Sequence, residues 1–258
     1  MIKGLYTAAA GMLSASMGMD TLANNLANVN TTGFKKNGVN YKSFPDMLIQ
    51  KVDQQGAKSI GTITTGAQTY GTAINFTQGA IYHSGNPLDM AIQGDGFFTV
   101  QDGKGQTFYT RNGHFVANAE GDLITLDGMK VLGEDDRPIR LPMDGQEVHI
   151  NENASVTSGA TALGTLKITR FDNNAALEKQ GDTLFRKTAS ASVHVPKTAD
   201  EPLGYQVFQG SVETGNVNVI GELVNNITGM RLYESLEKSI QMQNQTLTKA
   251  VNDIGRVR

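Results

Sequence analysis

The chain has 258 residues, enough for one large domain or two smaller ones built around a hydrophobic core. With 18% charged and 39% hydrophobic residues, 29 Gly and 6 Pro, it has the composition of a folded, glycine-punctuated protein and not of a disordered one. A net charge of −3 offers no basic face to a nucleic acid, and the lack of any Cys removes disulfides, thiol nucleophiles and thiolate metal sites.

Residues 1–33 carry the clearest periodicity. Leu5, Met12, Met19 and Leu26 recur every seven residues, and Ala8, Ala15, Leu22 and Val29 repeat the interval three places on. This is the a/d seam of a helix that packs along another helix. A second stripe, Gly4, Ala8, Gly11, Ala15 and Gly18, alternates steps of four and three, a spacing that lets a partner backbone approach closely. Each interior glycine costs about 1 kcal/mol against alanine, so this helix is expected to need a partner. Lys3 ahead of the fairly apolar Gly4–Met19 has the outline of a cleaved leader. Thr7, Ser14 and Ser16 dilute that stretch and the heptads run on past it, so it is read as the start of the helix. No apolar run approaches the roughly 20 residues needed to span a bilayer. Near the helix end, Asn24, Asn25, Asn28 and Asn30 allow two readings: polar contacts that fix register against neighbouring helices, or solvent-facing groups that close the helix before Gly33.

Residues 34–83, rich in Thr, Gly and polar groups, predict an extended or partly β connector. Residues 84–208 read as short strands between turn dipeptides: Asp95-Gly96, Asp102-Gly103, Asn112-Gly113, Asp127-Gly128 and Asp144-Gly145. The strands expected between them are Phe97–Val100, Thr107–Thr110, Leu123–Leu126, Val148–Ile150 and Leu166–Ile168. The expected interior is Phe97, Tyr109, Phe115, Leu123, Leu126, Val131, Ile139, Leu141, Leu166, Ile168, Phe171, Leu184 and Phe185.

Residues 209–258 form a return segment and a second amphipathic helix of about 30 residues, roughly 45 Å long. Tyr233, Ile240, Leu247 and Ile254 are seven apart, preceded by Leu223, Ile227 and Met230. Glu237, Lys238, Gln241, Gln243 and Gln245 make the polar side, and Glu237 and Asn244 interrupt the expected seam. The fold class is therefore α+β: long N- and C-terminal helices packing as a coiled-coil-like layer, with an antiparallel β-rich middle domain.

No catalytic constellation emerges. Gly94-Asp95-Gly96 lacks the third glycine of a dinucleotide loop, and no Gly-x-Ser-x-Gly elbow is present. The histidines His83, His114, His149 and His194 are too scattered for a metal site. The expectation is a non-enzyme without cofactor or metal.

Four blocks carry a resemblance. Residues 23–35, ending Asn30-Thr31-Thr32-Gly33-Phe34-Lys35, resemble the opening signature of bacterial flagellar rod and hook proteins. Residues 85–98, Tyr109-Thr110-Arg111-Asn112-Gly113-His114-Phe115 and residues 209–219 resemble further blocks of that family, in its order. The resemblance implies a structural subunit that is exported unfolded through the flagellar export apparatus without a cleaved signal peptide. Outside the cytoplasmic membrane it would polymerise, with copies of itself and other rod or hook subunits, into the hollow helical shaft of the basal body. It also implies that the terminal helices fold only in the polymer, where they line the axial channel. Glu222–Ile227 is similar to the distal-rod pattern and residues 130–186 to the proximal type, which leaves the subtype open. Two rival readings are a hook or hook-junction axial protein, and a secreted β-rich binding domain with helical arms. On the rod reading the assembly interface comprises Leu5, Ala8, Met12, Ala15, Met19, Leu22, Asn24, Asn25, Leu26, Asn28, Val29, Leu223, Ile227, Met230, Tyr233, Ile240, Leu247 and Ile254.

Overall fold

The computed structural model describes residues 2–44, 47–53, 56–63, 66–142, 146–159, 161–194 and 204–255. The expected Asp144-Gly145 turn and the side chain of Ile254 lie outside the described residues. The class is α+β, with a helix at each end of a β-rich middle. The chain groups into two compact units: residues 1–26, 37–73 and 218–258 in the first, 27–36 and 74–217 in the second.

The first unit holds both helices, α1 (Ile2–Ala27) and α2 (Val219–Gly255). At 37 residues α2 is longer than expected. It begins at Asn218, whose side-chain oxygen accepts from the Gly221 amide at 3.1 Å and whose carbonyl accepts from the Glu222 amide at 2.9 Å. Residues 37–73 form two ladders. Asn37–Ser43 pairs with Ala67–Ile74, and Met47–Asp53 runs antiparallel to Gly56–Ile63 with a bulge at Ile49 and Gln50.

The second unit contains an eight-stranded sheet. Its path runs Leu177–Gln180, Leu184–Lys187, Thr107–Thr110, Phe97–Gln101, Lys130–Val131, Leu123–Thr125 and Phe115–Ala117, with Ile168–Thr169 also paired to Phe97–Gln101. Three further strands, Val148–Ile150, Ser155–Ser158 and Thr161–Thr165, form a meander. Met90–Gly94 pairs with Tyr205–Gln209, and Ile81–His83 with Ser211–Glu213. One hydrophobic cluster centres on Met90, Ile92, Phe98, Phe115, Leu123 and Leu166. A second, aromatic one gathers Phe97, Tyr109, Phe171 and Phe185, with ring centroids 4.8–6.0 Å apart.

Two strand-level expectations change. Leu126 is 65% exposed, because it leads into the Gly128 turn and leaves the sheet there. The expected strand Leu166–Ile168 is instead a crossing point. The Leu166 amide donates to Ala154 at 2.9 Å and the Lys167 amide to Leu132 at 2.9 Å as the chain passes from the meander to the large sheet.

Candidate functional site

The two helices meet through side chains. A β-carbon on Gly11 would lie 3.1 Å from a Leu236 methyl, one on Gly4 2.7 Å from the Gln243 amide nitrogen, and one on Gly229 3.1 Å from Met19. Gly4 and Gly11 of the α1 stripe therefore receive large side chains of α2 where a close backbone approach was expected, while a β-carbon on Gly18 would meet the Tyr41 hydroxyl. Ala8 and Ala15 are buried, as is Ser14, whose hydroxyl lies 3.3 Å from that of Thr69. Leu5, Met12, Met19, Leu22 and Leu26 are half-buried.

On α2 the inward line is Glu222, Asn226, Gly229, Tyr233, Leu236, Ile240, Gln243, Leu247 and Ala250. The heptad of Tyr233, Ile240 and Leu247 is thus completed by Leu236 and Gln243. The expected interruptions at Glu237 and Asn244 disappear, because both residues point outward. Gln243, expected on the polar side, faces inward. Leu223, Ile227 and Met230 lie outside the seam and are exposed. With Ile220 and Val224 they form an open apolar stripe at steps of three and four. On α1, Tyr6, Leu13 and Met17 form another, which a single heptad seam does not mark.

The asparagines divide. Asn25, 1% exposed, donates from its amide to the Asn37 carbonyl at 2.8 Å and accepts from the Asn37 amide at 2.9 Å. It pins its own chain, an outcome neither sequence reading contained. Asn28 accepts from the Thr31 hydroxyl and donates to Asp182 at 3.5 Å; Val29 is half-buried and Asn24 exposed.

In the second unit the four motif blocks converge on one buried charge cluster. Glu213, fully buried, accepts from Lys35 Nζ at 2.6 Å and from Arg111 Nη1 at 3.2 Å. It also accepts from the Gly79 amide at 2.8 Å, while its carbonyl takes the Gly33 amide at 2.7 Å. Lys35 Nζ further donates to the Thr77 carbonyl, and Arg111 to the carbonyls of Ile92 and Gly94. Burial lowers the pKa of both Lys35 and Arg111, and the Glu213 charge opposes this in each. Gly33 sits at φ +69°, and a β-carbon there would fall 2.2 Å from the Asn112 nitrogen. Gly113 lies against the Met90 carbonyl so closely that no side chain fits. Lys179 covers the fully buried Phe34, its ammonium 3.9 Å from the ring centre, and donates to the Lys35 carbonyl at 3.2 Å. Lys35, Arg111 and Glu213 all lie within the family-like sequence blocks, but no local signal pairs residues so far apart in the chain.

Among the described residues no group of three His, Asp or Glu side chains is placed to hold a metal ion. No described helix is long and apolar enough to cross a membrane.

What remains is a protein with a closed β core, a buried charge knot and two helices with open apolar stripes. Its sequence matches three family profiles along its length. "Flagella basal body rod protein" covers residues 5–35, "Flagellar hook protein FlgE/F/G D1 domain" residues 91–158, and "Flagellar basal body rod FlgEFG protein C-terminal" residues 209–253. It is 35% identical to the flagellar basal-body rod protein FlgG of Agrobacterium fabrum, over 93% of this chain and 94% of that one. It is 34% identical to FlgG of Buchnera aphidicola from Acyrthosiphon pisum, over 96% and 98%. It is 32% identical to the rod protein FlgF of Caulobacter vibrioides over the whole of both chains. The chain belongs to the flagellar basal-body rod protein family. Its role is structural, as a subunit of the flagellar rod. Both the FlgG and the FlgF relatives align over nearly their full length.

Proposed function

We propose that this rod subunit polymerises through the outward faces of α1 and α2 into a hollow helical drive shaft for motility. The observation that carries the reading is the arrangement of its exposed apolar groups. Tyr6, Leu13 and Met17 share one face of α1, and Ile220, Leu223, Val224, Ile227 and Met230 share one face of α2. Contiguous apolar stripes of this kind mark contact surfaces, and head-to-tail contacts that do not close into a ring build a helical filament. On this reading the helices pack as a coiled-coil-like layer. Leu5, Met12, Met19, Leu22, Leu26, Tyr233, Ile240 and Leu247 hold the layer together, and the open stripes join it to neighbouring copies and other rod or hook subunits.

Family membership supports two further parts of the proposal. The chain leaves the cell unfolded through the flagellar export apparatus without a cleaved signal peptide. Its terminal helices then gain their full order on assembly, since burial and polymerisation are coupled. A second reading, a hook-type axial subunit, draws on the hook name of the profile matched by residues 91–158.

Electron microscopy of concentrated protein tests the main reading. Leu13→Glu and Val224→Asp are expected to abolish ordered particles while far-UV circular dichroism of the dilute chain stays unchanged. Normal particles from both variants would sink it. Gold labelling of basal bodies separates rod from hook placement.

A further inference from the structure

The Asp-Gly and Asn-Gly pairs of this chain carry a chemistry of their own, and the fold treats them unequally. In each, a side-chain carbonyl carbon stands one residue before a main-chain nitrogen that no neighbouring β-carbon shields. Where the two meet they can close a five-membered imide, and how closely they are held sets the rate. Asn37-Gly38 lies in a paired strand, with the Asn37 main chain clasped by Asn25 at 2.8 and 2.9 Å. Gly96 is buried, and a β-carbon there would fall 2.6 Å from an Ile168 methyl. The Asn112 carboxamide accepts from the His114 amide at 3.1 Å and from the Thr32 hydroxyl at 2.7 Å, while Gly113 is sealed against the Met90 carbonyl. The Gly128 amide is committed to the Thr125 carbonyl at 2.9 Å.

Asp102-Gly103 is arranged differently. It sits at the tip of the hairpin that joins Phe97–Gln101 to Thr107–Thr110. There the Gly103 amide donates to the carboxylate of its own neighbour, Asp102 Oδ1, at 2.6 Å. That contact holds the nitrogen beside the carboxyl carbon it would attack. Gly103, Lys104 and Gly105 are exposed, and no atom lies within 4 Å of the place a β-carbon on Gly103 would take, so the backbone has room to turn. Two bonds of 2.9 Å close the turn, from the Asp102 amide to the Gln106 carbonyl and from the Gly105 amide to the Asp102 carbonyl. An extra backbone atom at Asp102 would loosen these two while Phe98, Val100 and Phe108 stay buried beneath the hairpin.

We propose that Asp102-Gly103 is a site of spontaneous covalent modification, converting to isoaspartate with water as its sole co-reactant. The Gly103 nitrogen attacks Cγ of the protonated Asp102 carboxyl and forms an N–C bond; its amide proton and the carboxyl hydroxyl leave as water. A second water then opens the imide. Opening at Cγ restores aspartate. Opening at the main-chain carbonyl leaves the chain running through the side chain, one backbone atom longer and of unchanged composition. None of this depends on how the helices assemble. The test keeps the dilute full-length chain for weeks at neutral pH in water enriched in heavy oxygen, then applies a protease that cleaves before aspartate but not before isoaspartate. The cut before Asp102 is expected to fail progressively, about tenfold or more faster than the cuts before Asp95 and Asp127. The uncut fragment, residues 95–121, is expected to carry heavy oxygen. In denaturant the three sites are expected to convert at similar rates, since the fold alone sets them apart. Gly103→Ala, whose methyl has room in the fold but crowds the attacking nitrogen, is expected to slow the reaction about tenfold with unchanged circular dichroism. A persistent cut before Asp102, a missed cut without heavy oxygen, faster conversion at another of these pairs in the folded chain, a preference that survives denaturant or an unaltered rate in Gly103→Ala would each overturn the proposal.

Discussion

The two units solve the same problem, burying apolar surface, to different degrees. In the β-rich unit Phe34, Phe98, Phe115, Phe185, Met90 and Leu166 are sealed from water, and even the charges of Lys35, Arg111 and Glu213 are enclosed. In the helices the only hydrophobic side chains buried among the described residues are Ala8 and Ala15, while Ile220 is 76% and Tyr6 70% exposed. A sheet with a closed core is complete within one chain. A pair of helices touching along one seam leaves other faces uncovered. The contrast separates the part in which the subunit keeps its stability from the part that, on the proposed reading, joins others.

The sharpest break of this contrast is to spoil the closed side. Glu213→Gln removes the carboxylate that two buried cations share and is expected to cost about 3–5 kcal/mol in chemical unfolding. Lys35→Met is expected to cost clearly less, because Arg111 and Glu213 then remain as a balanced pair; equal losses would mean the cluster is not a charge triad. Next comes Gly33→Ala. Its left-handed backbone costs about 1–2 kcal/mol with a β-carbon, and crowding against Asn112 adds about 1–3 kcal/mol; the readout is the same unfolding curve.

A smaller effect is read by pH. Burial lowers the Lys179 pKa from 10.5 to about 8, with Asp182 opposing the shift. The unfolded chain therefore holds this proton more tightly, and the folded state carries a penalty below pH 8 that fades as pH rises toward 10.5. Because the amine is half-exposed, the gain across that window is expected at about 1 kcal/mol. The difference between the parent chain and Lys179→Met, followed from pH 7.5 to 10.5, isolates it; parallel curves would contradict the assignment. Smallest of all, Leu126→Asp, at a residue the sequence pattern placed in the core, is expected to stay within about 0.5 kcal/mol.

Much of the architecture was legible because it rests on local periodicity. Seven-residue spacing marked both helices, and alternation between turn residues marked Phe97–Gln101, Thr107–Thr110 and Val148–Ile150. Where local cues are ambiguous, the pattern alone does not decide. Tyr233, Ile240 and Leu247 could be completed on either side, by Leu236 and Gln243 or by Glu237 and Asn244, and only the packing against α1 chose the first. Leu126 looked like a strand residue because apolarity does not reveal where a hairpin leaves its sheet.

By itself, then, the amino-acid sequence determined the helical ends, the β-rich middle and the family, since these are written in short-range spacing and contiguous blocks. The meeting of Lys35, Arg111 and Glu213, the clasp of Asn25 on Asn37 and the division of each helix into a covered seam and an open stripe were decided by tertiary structure alone. A buried charge or an open face is defined by what lies across from it in space, and up to 178 residues of chain separate those partners.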